Sequence, residues 1–126
     1  MTKVAQKNVD GVVAANPLLT AEGFAHGFKR TRPEYIPAGV NVKQMQGAVN
    51  WLQQAGRRVT VNTSCSSYGL KHIAEKTVEG KYISNGAFIA AAYFLGFKVA
   101  RIGDTPNARI NISGKSVRKL RADVAL

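Results

Sequence analysis

The chain has 126 residues, enough for one hydrophobic core, and its 45% apolar and 20% charged content excludes a disordered class. Its 18 Lys and Arg against 7 Asp and Glu leave a formal charge of +11 and a pI near 10.2, a balance that points to nucleic acid before a membrane surface or an acidic protein. The lone cysteine, Cys65, excludes an intramolecular disulfide and a zinc site built on a cysteine cluster.

MTKVAQKNVDGVVAANP lacks the continuous apolar run of a signal peptide, so a reducing, cytoplasmic location is expected. Residues 1–40, punctuated by Pro17, Pro33, Pro37 and several glycines, read as an irregular segment with two short helices, loosely attached to a basic domain over 41–126. One of these helices is placed from Thr20 as N-cap. It carries Ala21, Phe24, Ala25 and Phe28 at helical spacing and ends in the basic cluster Lys29, Arg30 and Arg32.

Asn41 followed by Gln44 has the form of an N-cap with its capping-box partner, and Gly56 stands where a helix C-terminus wants it. Between them Met45, Ala48, Val49 and Leu52 recur at i, i+3, i+4, i+7, widened by Trp51 and Ala55, while Lys43, Gln46, Asn50 and Gln53 take the other face. RRVTVNTS, β-branched at Val59, Thr60, Val61 and Thr63, reads as a short strand or extended segment. Ser64 or Ser66 then caps a helix with Leu70, Ile73, Ala74 and Thr77 inward and Lys71, His72, Glu75 and Lys76 toward solvent, broken by Gly80.

YISNGAFIAAAYFLGF, capped by Ser84 or Asn85, predicts a helix that is apolar on every side and so central to the core, with Phe88, Phe94 and Leu95 filling volume. The charge-free run from Tyr82 to Phe97 falls short of the roughly 20 residues that span a bilayer. FKVARIG and ARINIS form a hairpin about DTPN, with Ile110 and Ile112 on one face and Arg109, Asn111 and Ser113 on the other. Ser113 caps a last helix, GKSVRKLRADV, in which Lys115, Arg118, Lys119 and Arg121 surround Val117 and Leu120.

The expected class is therefore α+β and mainly helical. From residue 41 to 113 the order helix, short strand, helix, helix, strand, turn, strand resembles that of winged-helix domains, the helix-turn-helix variants with a β-hairpin wing. That resemblance makes 41–126 a basic winged-helix-like domain, implies DNA binding and brings Ser84 and Asn85, at the start of its second motif helix, toward base edges. The same two residues serve equally as helix caps only. SSYGLKHIAEK and YISNGAFIAAA also resemble segments of uncharacterised small proteins of bacteriophages and integrative elements, a resemblance that implies no function.

The candidate phosphate contacts fall into two groups. Lys71, His72 and Lys76 share one helix face, either a binding patch or an ordinary solvated face softened by Glu75 and Glu79. Arg101, Arg109, Lys115, Arg118, Lys119 and Arg121, opposed by Asp104 and Asp123 only, are the denser group and suit a phosphate track, on DNA before RNA. An enzyme would have to be assembled from His26, His72, Tyr68, Lys71 and Cys65, and no nucleophile is paired with a base at a diagnostic spacing, so neither catalysis nor a cofactor is expected. The competing expectation is a phage or mobile-element protein that docks on an acidic host protein, since the same charges steer a protein partner.

Overall fold

The computed structural model describes residues 2–27, 39–77 and 81–125. Among them are five helices and two antiparallel hairpins: α1 (Gln6–Ala15), β1 (Leu19–Thr20), β2 (Gly23–Phe24), α2 (Val42–Leu52), α3 (Ser67–Thr77), α4 (Asn85–Phe94), β3 (Val99–Arg101), β4 (Ala108–Ile110) and α5 (Gly114–Ala125). The protein is thus α+β and mainly helical. No helix among the described residues is long and apolar enough to cross a membrane.

The centre of the core is α4, against which α1, α2, α3, the β1–β2 hairpin and β3 all pack. Its alanines let these neighbours approach. Phe88 and Ile89 are fully buried, and the Phe88 ring lies 5.9 Å from that of Trp51 on α2. Leu95 and Phe94, expected to fill the centre, are only half-buried at its edge, because the helix end emerges at Gly96.

Helix starts follow local chemistry. Asn41 Oδ1 accepts from Gln44 N at 3.0 Å, Ser84 Oγ from Ala87 N at 3.1 Å, and Ser113 Oγ from Ser116 N at 3.1 Å. Ser66, rather than Ser64, does the same for α3 through Gly69 N at 3.2 Å. The capping box at Asn41 is only half made, because the Gln44 side chain turns away to accept from Ser84 N at 3.0 Å. α2 ends at Leu52, short of Gly56, and on its polar face Gln46 holds the N-terminal segment, accepting from Val4 N at 2.6 Å and donating to Thr2 O at 2.8 Å.

Two expected elements are replaced. No helix starts at Thr20, because its Oγ1 closes a tight turn, accepting from Glu22 N at 3.2 Å and donating to Gly23 O at 2.8 Å. Gly23 then takes φ = 112°, outside any right-handed helix, and Phe24 N donates to Pro106 O at 3.0 Å. The strand expected over RRVTVNTS reduces to one bridge, Arg57 to Ile112; Arg58 N and Asn62 N reach Asn111 O and Ile110 O at 2.8 Å each, and Val59 is exposed between them.

Val4, Val9, Leu19 and Phe24 belong to the same buried cluster as residues of α2 to α5. Phe28 and the basic cluster Lys29, Arg30 and Arg32 lie outside the described residues, as do Glu79, Gly80 and the Asp123 side chain.

Candidate nucleic-acid interface

The β3–β4 hairpin pairs Val99 with Ile110 and Arg101 with Ala108, and its bent partner on the other side is the loop after α2. Asn111, expected on a free polar face, is buried as the clamp between the two: it accepts from Lys98 N at 2.7 Å and donates to Arg58 O at 2.9 Å. Ser113 N donates to Gly56 O at 2.9 Å, and Gly56 N to Ser116 Oγ at 2.7 Å, which fixes the loop to the first turn of α5. Three segments distant in sequence, each carrying cations, are thereby held next to one another.

On α5, Val117 and Leu120 are buried, which turns Lys115, Arg118, Lys119 and Arg121 outward. Lys115, Arg118 and Lys119 make no side-chain hydrogen bond or ion pair among the described residues. Arg57, Arg58 and Lys98 extend the surface and were not singled out by the sequence, which assigned their neighbourhood to strands. Arg57 lies 4.1 Å over the Phe97 ring and donates to Leu95 O at 2.5 Å, while Lys98 Nζ donates to Val59 O at 2.6 Å. These contacts hold the charged heads themselves in place, and both residues remain exposed. Arg109, in mid-strand, is half-buried.

Other expected contacts are committed internally. Arg101 holds the two hairpins together, donating to Ala25 O at 2.8 Å and Thr105 O at 3.2 Å and pairing with Asp104 at 3.3 Å, over the Phe24 ring. Ser84 is buried as a cap. Asn85 is buried too, with Nδ2 donating to Glu22 O, Pro106 O and Asn107 Oδ1 at 3.2, 3.1 and 3.0 Å. Neither can reach a base edge, and α4 is buried from Asn85 to Ala92.

Lys71, expected in solvent, is 3% exposed: the buried stripe of α3 is broader than its i, i+3, i+4, i+7 core and takes in this flank. Its ammonium sits 3.3 Å from Glu75 Oε1 and 5.1 and 4.7 Å from the Tyr68 and Tyr82 ring centres. His72 is exposed, with Nδ1 2.9 Å from the same carboxylate, and Lys76 is exposed a turn on. Glu75 also accepts from Ile83 N at 3.1 Å, so it ties α3 to the lead-in of α4. Glu75→Ala is expected to lower stability by about 3 kcal/mol, since it leaves a buried ammonium without its carboxylate. Chemical denaturation measures this, and a loss within about 0.5 kcal/mol, the range of a neutral surface change, would contradict it.

Cys65 lies just before α3. Burial pushes its thiol up from the ordinary value, and the Arg121 guanidinium draws it partly back. The folded chain thus holds this proton more firmly than the unfolded one, so the thiol's contribution to stability falls as pH rises above the unfolded value. Alkylation of native Cys65 should reach half its maximal rate above the pH of about 8.5 typical of a free thiol, and Arg121→Gln should move that midpoint higher still. An unchanged midpoint in the variant would remove Arg121 from the neighbourhood of Cys65.

Fold and composition together define a small basic α+β protein with an apolar central helix and exposed cations on α5, on Lys98 beside the hairpin and on the loop after α2. Comparison of the chain with protein-family models, with curated proteins and with solved structures found no match.

Proposed function

We propose that this protein binds nucleic acid through backbone phosphates, DNA before RNA, without reading bases through α4. The observation that carries the reading is the convergence of Arg57, Arg58 and Lys98 with the outward cations of α5 on a surface pinned by the Gly56, Asn111 and Ser113 hydrogen bonds. Cations held at fixed positions release condensed counterions when they meet phosphates, a driving force indifferent to sequence. The order α2, α3, α4, β3, β4 still resembles that of winged-helix domains, and in this reading the duplex meets α5, the 57–60 loop and the hairpin in place of a groove-reading helix.

The test is binding of one duplex and a scrambled duplex by the full chain at several salt concentrations. Equal affinities are expected, with log K falling by about 0.9 per tenfold salt for each phosphate neutralised. A flat salt dependence would overturn the reading and favour docking on an acidic protein.

A further inference from the structure

Away from the α5 surface, Tyr82 forms a wall shared by two depressions. One, of ≈ 690 Å³, carries Lys43, Gln46, Asn50 and Lys81; the other, of ≈ 220 Å³, carries His26, Tyr68, Lys71, Asn85 and Asn107. Tyr68 is 50% and Tyr82 61% exposed, so each ring leaves much of its surface to solvent. They are not scattered surface aromatics, because the buried Lys71 ammonium lies within 5.1 Å of both ring centres and Glu75 holds it there. The His72 ring sets edge-on to Tyr68 at 4.5 Å and braces it further. Rings fixed in this way lose little conformational freedom when a flat group stacks on them.

Lys43 and Lys81 line the adjoining depression and both are exposed. Nucleobases offer a π-face to the tyrosines, and the sugar-phosphate chain that carries them suits these two lysines.

We infer that Tyr82 and Tyr68 form a stacking site for unpaired bases of a single-stranded nucleic acid, with the strand's phosphates passing along Lys43 and Lys81. This rests on the nucleic-acid reading above and adds the strand state of the ligand. Duplex bases present no free π-face along the helix, so the site discriminates in favour of single strands.

The experiment compares labelled oligothymidylate, an abasic oligonucleotide of equal length and a duplex as ligands of the full-length protein, with Tyr82→Ala and Tyr82→Phe as variants. The wild type should bind oligothymidylate more tightly than the abasic strand. Tyr82→Ala should weaken oligothymidylate binding by roughly 5- to 150-fold, the range for loss of one stacked base, with the salt slope and duplex binding unchanged. Tyr82→Phe, which keeps the ring, should retain affinity. Equal wild-type binding of the abasic strand and oligothymidylate would overturn the stacking site and leave the phosphate reading standing, and this comparison needs no variant to fold. Failure to bind any of the three ligands would overturn both.

Discussion

Gly86→Ala is expected to destabilise the protein by about 3 kcal/mol or more, although the same change raises helix propensity by up to about 1 kcal/mol. Gly86 lies in the first turn of α4, where Gly86 N donates to Ala21 O at 3.0 Å. A Cβ there would stand 1.7 Å from Thr20 O, 2.8 Å from Thr20 C and 2.9 Å from Ala21 C. All three are backbone atoms, so no rotamer change relieves the overlap and the β1–β2 turn must move. That turn is itself pinned, because a Cβ on Gly23 would meet Pro106 O at 2.2 Å on its far side. Displacing it loosens Leu19 and Phe24 from the core. Urea titration should show a lower midpoint, and a smaller m-value if the hairpin detaches in the folded state. Gly11→Ala is the matched control: it is an exposed position of α1 with nothing within 4 Å of a new Cβ, and should stabilise by up to about 1 kcal/mol. A midpoint for Gly86→Ala at or above that of the wild type would contradict the close approach of α4 and the hairpin.

Replacing Arg118, Lys119 and Arg121 together by Gln should lower the salt slope of duplex binding by about 2.7, or about 0.9 for each phosphate no longer neutralised. Affinity at moderate salt should fall steeply and by equal factors for a duplex and its scrambled counterpart, since the phosphate backbone carries no sequence information. All three side chains are exposed, and Gln keeps much of the helix propensity of Arg and Lys, so the melting temperature should hold. Arg101→Gln provides the contrast. That guanidinium bonds Ala25 O and Thr105 O and pairs with Asp104, so its removal should lower stability while leaving the slope in place. An unchanged slope in the triple variant would remove nucleic acid from the α5 surface and make an acidic protein the first candidate partner.

The site was legible in the sequence only where exposure follows from a helical stripe. Val117 and Leu120 pack inward, so Lys115, Arg118, Lys119 and Arg121 had to point out. Arg101, Ser84 and Asn85 looked equally available, but each is consumed by carbonyl or amide groups, which for Arg101 and Asn85 belong to segments far away in the chain. Arg57, Arg58 and Lys98 carry no such signal, for the converse reason. Lys98 is distant in sequence from Arg57 and Arg58, and Asn111 bonds the backbones of Lys98 and Arg58 to bring their segments together.

What the sequence determined by itself is the local part. Asn41, Ser66, Ser84 and Ser113 cap helices through amides three residues away, and the charge-free run around Phe88 marks the buried helix, because neither signal depends on a distant partner. The tertiary structure alone decided that Thr20 starts a turn, that RRVTVNTS is not a strand, that Lys71 is buried against Glu75, and that the two tyrosines converge. The bonds at Thr20 and between Lys71 and Glu75 are local, but which of the local options is taken depends on the distant segments packed there, Pro106 against Phe24 and Tyr82 against Lys71, and no local pattern of residues carries that information.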